Sequence, residues 1–285
     1  MSLRLPVLAL AAVTNALNST LKKRHFSFLK SLFFGLFIAV FYISPAIATN
    51  TCLSPEQQLA EVDDWGIVAK IIDGDTIHLK DGRKIRLIGI NTPELGRRGA
   101  ASQAFGLQAY EALVQLLQGH NKVGLSYDKD KKDRYKRSLA YLVLPDGQSV
   151  ERLLLSKGLA HSIVVPPNDR RIKCYRSIEK TARDKKLGLW RLPENQWFKS
   201  SRLSTKSKGL RYVSGTVSGY SESKKSFYLK LGSKLSIRIA KKDKKYFSTI
   251  NLKKLVGRYI RVRGWVSTHK GRQSIYIRTA HDLQI

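Results

Sequence analysis

The chain has 285 residues, a hydrophobic fraction of 42% and a formal net charge of +31 at pH 7. Its length allows one or two domains, and its apolar content excludes wholesale disorder. Its two cysteines exclude a disulfide-dense scaffold and a cysteine-rich zinc site. The charge indicates a polyanionic partner, with nucleic acid favoured over an anionic membrane or a polysaccharide.

The charge is unevenly distributed along the chain. Residues 1–48 contain five basic residues and no acidic residue, whereas residues 49–198 contain 25 basic and 18 acidic residues. Residues 199–285 contain 22 basic and three acidic residues, a net charge of +19. This asymmetry predicts two functions on one chain, with most carboxylates in the middle region.

Residues 1–48 have the features of a signal peptide. Basic residues at 22–24 and 30 precede an uncharged apolar run over 32–43, and a Pro and an Ala-Ile-Ala exit follow. We expect cleavage after Ala48 and a secreted or periplasmic protein without stable membrane association. The alternative is an uncleaved leader that anchors the chain, because residues 31–48 are almost long enough to span a membrane.

The two cysteines follow the leader. Cys52 lies in an amino-terminal extension, residues 49–64, and Cys174 lies in a predicted helix. Export would place both in an oxidising compartment, so we predict a Cys52–Cys174 disulfide. Two unpaired, buried thiols are the alternative.

The middle region, residues 65–191, combines short strands with helices. Asp81-Gly82 between two β-branched runs is typical of a hairpin. A helix is predicted over 104–117, and its apolar side comprises Leu107, Tyr110, Leu113, Val114 and Leu117. The remaining predictions are strands at 67–72, 76–80, 84–90 and 139–144, and helices at 150–158 and 172–187.

The chain changes character after residue 191. Residues 192–210 are rich in Pro, Asn, Ser, Lys and Gly and are predicted to be a linker. Residues 211–285 alternate apolar and polar positions in five strands, with one predicted helix at about 244–255 after the third. This order is typical of an OB-fold barrel, so we predict a mostly β chain with helices (α+β) and an OB-fold-like second domain.

The predicted outward face of the second domain mixes cations with flat rings and contains no acidic residue. Cations follow phosphates and rings stack on bases, so this face predicts nucleic-acid binding. An ordinary solvated exterior is the alternative. The outward residues are Tyr228, Lys230, Arg238, Tyr259, Arg261, Arg263, Trp265, Tyr276 and Arg278.

Oxygen ligands and a cation cluster around the predicted hairpin. If Lys80 pairs with Arg83, Asp75 and Arg86 lie on one face of the hairpin. The polar residues Asn91, Thr92 and Glu94 follow the second strand at the same rim. Carboxylate and amide oxygens suit Ca²⁺ or Mg²⁺, and a neighbouring Arg suits a phosphate. Solvated loop acids and structural ion pairs are the alternative.

Several ordered motifs resemble the staphylococcal nuclease (thermonuclease) family over about residues 65–191. The matching stretches are Ile-Asp-Gly-Asp-Thr at 72–76, Ile-Arg-Leu-Ile-Gly-Ile-Asn-Thr-Pro-Glu at 85–94, Asp-Arg-Tyr-Lys-Arg-Ser-Leu-Ala-Tyr at 133–141, Gly-Leu-Ala at 158–160, Ala-Arg at 182–183 and Leu-Gly-Leu-Trp at 187–190.

The resemblance implies a Ca²⁺-dependent endonuclease, a phosphodiesterase acting on DNA, RNA or both, on an OB-type barrel. It implies a catalytic role for Glu94, which orients or deprotonates the attacking water, and for Arg86 and Arg137, which bind the scissile phosphate. It implies metal ligation by Asp75, Asn91 and the Thr92 carbonyl. Asp73 and Tyr135 are expected in supporting positions.

The sequence departs from the family at three places. Asn91 stands where the family has a second metal carboxylate, which predicts weaker Ca²⁺ binding. Lys136 replaces a small turn residue, and the family's base-stacking tyrosine is absent from the region of Val164 and Pro166. The alternative functions are a non-catalytic nucleic-acid-binding protein of the same fold and a membrane-held adhesin for anionic polymers.

Overall fold

The computed structural model describes residues 52–285, except 97–98, 205, 234 and 270. The predicted signal peptide therefore lies outside the described residues. Within the described part of the chain, no helix is long and apolar enough to cross a membrane.

The first half of the described chain forms a closed five-stranded barrel in the order β1-β2-β3-β6-β5. All neighbouring strands are antiparallel except β3 and β6. Buried aliphatic side chains, such as Ile77, Ile85 and Leu125, fill its core. The strands are β1 (Asp64–Asp73), β2 (Thr76–Leu79), β3 (Lys84–Leu87), β4 (Ile90–Asn91), β5 (Lys122–Lys132), β6 (Ser138–Val143) and β7 (His161–Ser162), of which β4 and β7 form a separate pair.

Four α-helices accompany this barrel in the described residues. Two of them begin at a serine N-cap, as at Ser54, whose side chain accepts the Gln57 N–H. The helices are α1 (Pro55–Ala60), α2 (Gly106–Leu117), α3 (Val150–Ser156) and α4 (Ile172–Asp184).

The predicted apolar side of α2 is partly wrong. Leu113 and Leu117 are buried, but Leu107 and Val114 are 49% and 37% exposed. The helix instead packs through small residues, and a Cβ on Gly74 would lie only 2.8 Å from the Ala109 Cβ. This close approach of α2 to the β1–β2 turn leaves no room for a large side chain at Ala109 or Gly74. Sequence periodicity alone does not reveal such a contact.

The predicted hairpin register is wrong by one residue. Leu79, not Lys80, donates its N–H to the Arg83 carbonyl, and Thr76 lies opposite Arg86. The loop therefore has three residues and ends at Gly82, whose φ is +87°. A three-residue loop with a left-handed glycine is the alternative to the two-residue turn that Asp-Gly favours.

Strand β5 was not predicted. Its carboxyl-terminal half places Asp128 and Asp130 between lysines, a polar pattern that by itself favours a solvated loop. Tyr141 donates to the Asp128 carboxylate at 3.0 Å, and the Asp130 N–H donates to Asn168. These tertiary partners hold a polar sequence in a strand.

The second half forms another closed barrel with the same topology, β9-β10-β11-β13-β12, closed by pairing of β12 with β9. Here β11 and β13 are the parallel pair. The strands of this sheet are β8 (Trp197–Lys199), β9 (Gly209–Glu222), β10 (Ser226–Leu231), β11 (Leu235–Ala240), β12 (Tyr259–His269), β13 (Arg272–Ile277) and β14 (Leu283–Gln284).

Two predictions for this half need correction. The segment predicted as a linker contributes β8, which pairs in parallel with β9. The helix predicted at about 244–255 is replaced by 3₁₀ segments at Lys241–Phe247 and Leu252–Leu255. Asn251 caps the second of them and interrupts any continuous helix.

The two barrels are joined by buried polar contacts. Arg263 of β12 forms a bidentate ion pair with Glu179 of α4 and donates at 2.7 Å to the Ser162 carbonyl of β7. The hydroxyl of Tyr212 on β9 lies 2.8 Å from the His161 Nδ1. Hydrogen bonds and charge pairing therefore fix the second barrel against α4 and β7.

The amino-terminal extension is attached to α4 by the Cys52–Cys174 disulfide. The predicted pairing is therefore present in the structure. It closes a loop with a sequence separation of 122 residues. Such a crosslink stabilises the fold mainly by restricting the unfolded chain.

Candidate functional site

The turn between β1 and β2 presents Asp75 to Arg86 of β3. The Asp75 carboxylate is buried, with 6% exposure, and lies 3.0 Å from the Arg86 Nη2. It also accepts the Thr92 N–H at 2.9 Å and the Thr76 hydroxyl at 3.2 Å. The predicted juxtaposition of Asp75 and Arg86 is present despite the shifted register, because Asp75 lies in the turn rather than in a strand.

Asn91 and Thr92 approach the same guanidinium group. Asn91 lies on β4, and its Oδ1 accepts the Arg86 Nη2 at 3.2 Å. Its Nδ2 donates to the Thr92 carbonyl at 3.2 Å. Oxygens of Asp75 and Asn91 therefore both lie within 3.2 Å of one nitrogen atom. Asp73, the predicted supporting carboxylate, is also buried and accepts the Asp75 N–H.

Burial raises the pKa of Asp75 to about 6. The cation of Arg86 opposes this shift, while the neighbouring Asp73 adds to it. The charged carboxylate is thus incompletely stabilised by the protein groups around it. An additional cation at this point would favour the ionised form.

Arg137 is held by a tight turn between β5 and β6. Its side chain forms an ion pair with Asp133 at 2.8 Å, and its N–H donates to the same carboxylate. Lys136, which stands where the family has a small turn residue, has a φ of +63°. Asp133 therefore orients the Arg137 side chain.

The predicted catalytic residues are divided between two neighbouring cavities. Arg86, Arg137 and Tyr135 line a cleft of about 550 Å³, and the Tyr135 ring is 64% exposed. Glu94 is exposed and lines a second cavity of about 480 Å³ together with Asn91. The site therefore has an arginine side and a glutamate side, with Asp75 buried between strands close to Arg86.

Four of the predicted nucleic-acid-binding residues form a continuous row across the second barrel. Tyr228 pairs with Arg238, Arg238 with Tyr276, and Tyr276 with Trp265. The Arg238 guanidinium carbon lies 5.2 Å from the centroid of the Tyr276 ring. Lys230, Tyr259 and Arg261 are exposed elsewhere on the outer surface, and Arg278 is half-buried.

Arg263 does not lie on the exposed face for which nucleic-acid binding is predicted. This side chain is 7% exposed and its guanidinium is occupied by Glu179, Ser162 and Tyr212. Alternation along β12 correctly placed Arg263 outside the barrel. The alternation could not show that α4 and β7 cover this part of the exterior.

Two residues of the site were missed by sequence reasoning. Asp133 has a usable signal, since an acid four residues before Arg137 across a Tyr-Lys turn forms a local ion pair. His161 lies opposite Asn91 in the β4–β7 pair, which only the tertiary structure reveals.

The closed barrel thus brings Arg86 and Arg137 to one cleft, with the buried carboxylate of Asp75 against Arg86, and guanidinium groups of this kind suit a phosphate. Comparison with known proteins identifies the class of protein. The profile of staphylococcal nuclease homologues matches residues 84–192.

Three related proteins illustrate the similarity. A thermonuclease of Staphylococcus intermedius is 37% identical over 127 residues, which are 44% of this chain and 74% of that protein. A thermonuclease of Staphylococcus hyicus is 36% identical over 43% of this chain and 73% of that protein. Endonuclease YncB of Bacillus subtilis (strain 168) is 36% identical, over 42% of this chain and 59% of that protein.

The chain belongs to the staphylococcal nuclease family. The family profile ends at residue 192. The second barrel therefore lies outside the matched region.

Proposed function

We propose that this protein is an exported, Ca²⁺-dependent endonuclease that hydrolyses phosphodiester bonds of DNA, RNA or both. The observation that carries the proposal is the cluster of Asp75, Arg86 and Asn91 beside the cleft that Arg137 lines. Family membership supports nuclease chemistry, and the buried Asp75 carboxylate beside Arg86, with Arg137 in the same cleft as Arg86, supplies the groups which that chemistry needs.

The arginines serve to bind the phosphodiester. Each guanidinium can donate two parallel hydrogen bonds to phosphate oxygens, and both donate to carboxylates in the structure. Negative charge on those oxygens increases as the attacking oxygen approaches phosphorus. Fixed donors of this kind typically contribute about 10²–10³ in rate.

Glu94 is assigned the role of general base. Its carboxylate is exposed in the cavity that Asn91 also lines, and its backbone N–H is fixed by the Gln103 side chain at 3.1 Å. Glu94 would accept a proton from water as the water oxygen bonds to phosphorus and the bond to the leaving sugar oxygen breaks, and the leaving oxygen would take a proton from solvent. General-base catalysis contributes typically about 10²–10⁴ in rate.

The oxygens of Asp75, Asn91 and the Thr92 carbonyl would hold Ca²⁺. Carboxylate, amide and carbonyl oxygens are ligands that Ca²⁺ accepts, and the Asp75 and Asn91 oxygens already converge within 3.2 Å of one cationic nitrogen, the Arg86 Nη2. Bound Ca²⁺ would neutralise phosphate charge. Asn91 supplies an oxygen without a charge, so we expect weaker Ca²⁺ binding than a second carboxylate would give.

The second barrel is assigned the role of holding the substrate. Residues 199–285 carry a net charge of +19. The row Tyr228–Arg238–Tyr276–Trp265 offers rings for bases beside a cation for phosphate. The proposed nucleic-acid-binding residues no longer include Arg263. Besides the row, they comprise Lys230, Tyr259, Arg261 and Arg278.

The proposed export rests on residues 1–48 and is supported by the Cys52–Cys174 disulfide, which is typical of oxidising compartments. The amino-terminal residue of the protein recovered from the expressing cells tests it. Recovery beginning after Ala48 is expected, and an intact leader would instead favour a membrane-anchored protein.

Incubation with single-stranded DNA, duplex DNA and RNA tests the enzymatic part of the proposal. Cleavage of at least one substrate is expected with Ca²⁺ and not with chelator. Cleavage that persists undiminished in chelator would contradict the Ca²⁺ requirement. Tight binding of all three without cleavage would favour the non-catalytic alternative.

A further inference from the structure

The second barrel contributes to the cleft at the nuclease site. Arg278, at the end of β13, lines the same cleft of about 550 Å³ as Arg86 and Arg137. The charged lining of this cleft comprises five cations, Arg86, Lys132, Arg134, Arg137 and Arg278, and two carboxylates, Asp130 and Asp133. One of the five cations that line the cleft thus comes from outside the region that matches the family.

Smaller cavities extend this cleft along the seam between the barrels. A cavity of about 60 Å³ shares Val165 and Arg278 with the cleft and adds Trp265 and Tyr276. The cavity on the glutamate side also reaches Trp265. Trp265 therefore borders both the seam and the cavity that Glu94 lines.

The side chains at this seam have the chemistry of a nucleotide site. Trp265 is 44% exposed and lies directly opposite Tyr276 across β12 and β13. The Tyr276 hydroxyl donates to Asp243 at 2.7 Å, which fixes its ring. The Arg278 Nε is buried without a hydrogen-bond partner among the described residues, and it forms a long ion pair with the Asp243 carboxylate at 3.8 Å. Rings stack on bases and a guanidinium binds phosphate.

The seam is held in place rather than loosely tethered. Arg263 and Arg176 both donate to the Ser162 carbonyl, and Glu179 accepts the Ser162 N–H at 2.9 Å. Ser162 in turn pairs with Ile90, next to Asn91. Groups on β12 and β13 are therefore fixed relative to the nuclease site.

We propose that Trp265, Tyr276 and Arg278 form a nucleotide subsite that continues the nuclease cleft and binds the part of the polynucleotide beside the scissile phosphate. The inference rests on the proposed nuclease function and gives the second barrel a role in productive binding at the site. Oligonucleotides that extend beyond the scissile dinucleotide would therefore be cleaved more efficiently than a dinucleotide.

Cleavage kinetics on a thymidine dinucleotide and a thymidine dodecamer test this subsite. For Trp265→Ala and Arg278→Ala we expect kcat/KM on the dodecamer to fall about tenfold, as for the loss of one stacked base or phosphate contact. The fall in kcat/KM on the dodecamer should exceed the fall on the dinucleotide for both variants. Trp265→Leu should behave like Trp265→Ala, which separates loss of stacking from loss of apolar contact.

Arg272→Ala provides the matched control. Arg272 is an exposed cation at the start of β13, and its loss removes the same charge as the loss of Arg278. Equal losses for Arg272→Ala and Arg278→Ala, or equal losses on both substrate lengths, would overturn the subsite.

Dodecamer binding in chelator, measured by fluorescence anisotropy, tests the nucleotide subsite separately from the proposed nuclease activity. Weaker binding by Trp265→Ala supports the subsite even if no cleavage is seen, in which case only the nuclease proposal fails. Unchanged binding overturns the subsite whether or not the protein cleaves.

Discussion

Replacing Arg263 with methionine removes the cation that joins the two barrels. Glu179 would remain buried and would lose two hydrogen bonds, while the Ser162 carbonyl would lose one. Removal of one member of a buried ion pair typically costs about 3–5 kcal/mol. Arg176 lies 3.6 Å from the Glu179 carboxylate and would still neutralise part of its charge. We therefore expect the free energy of unfolding to fall by about 3 kcal/mol.

Urea unfolding at pH 7, followed by tryptophan fluorescence, measures this loss. Arg261→Met is the matched control, because Arg261 is exposed two residues earlier on the same strand and should cost less than about 0.5 kcal/mol. Adding Glu179→Gln to Arg263→Met should recover part of the stability, since the uncompensated charge is then absent.

Equal stability losses for Arg263→Met and Arg261→Met would refute the reasoning about the buried ion pair. A loss of nucleic-acid affinity by Arg263→Met at unchanged stability would instead support the original sequence-based interpretation. The comparison therefore decides between a structural and a nucleic-acid-binding role for this residue.

Three further predictions concern the disulfide, the buried histidine and the metal ligands. Cys52→Ser together with Cys174→Ser should lower the free energy of unfolding by about 4 kcal/mol, measured against the oxidised protein in urea, because a long loop is released; an unchanged midpoint would contradict this. Burial lowers the pKa of His161 to about 3, below its ordinary value of 6.5, so the unfolded chain binds the extra proton between these pH values and stability falls as pH falls through this window. His161→Asn should reduce the slope of unfolding free energy against pH between 4 and 6 by about 1.4 kcal/mol per pH unit, and an unchanged slope would show that this imidazole is not the group responsible. Asn91→Asp should lower the half-saturating Ca²⁺ concentration for cleavage by about tenfold, equivalent to about 1.4 kcal/mol, and equal or weaker Ca²⁺ dependence would contradict the assigned ligand role.

The barrel topology was largely predictable because its signals are local. Alternation along β10, β11, β12 and β13 identified the strands, and their order indicated the OB-type barrel. Strand β5 was missed because its alternating lysines and aspartates are stabilised by Tyr141 and Asn168, which are distant in sequence. The buried face of α2 was partly mispredicted for a similar reason. Its small residues contact the β1–β2 turn, which is distant in sequence, and this contact has no periodic pattern.

The candidate site was predicted residue by residue, but its environment was not. Asp75 and Arg86 meet as expected, although the register that suggested it was wrong. The sequence predicts Glu94 and Arg86 around one hairpin rim, whereas the structure places them in adjoining cavities. Cavities depend on packing between barrels, and a single sequence carries no direct signal for that packing.

The uneven distribution of charge along the chain corresponds to the two barrels. Most of the net charge lies on residues 199–285, while acids of the middle region orient cations, as Asp133 does for Arg137. The described structure joins these regions through Arg263 and Glu179. Substrate holding and phosphate chemistry are therefore expected in one connected groove.

The rate of Ca²⁺-dependent cleavage by Glu94→Gln tests the central claim most directly. Single-stranded DNA at saturating Ca²⁺ serves as substrate, and Glu111→Gln, an exposed change on α2, is the control. We predict a fall in kcat of about 10²–10⁴ for Glu94→Gln and no change for Glu111→Gln. Cleavage by Glu94→Gln at the rate of the unmodified protein would contradict the proposed mechanism.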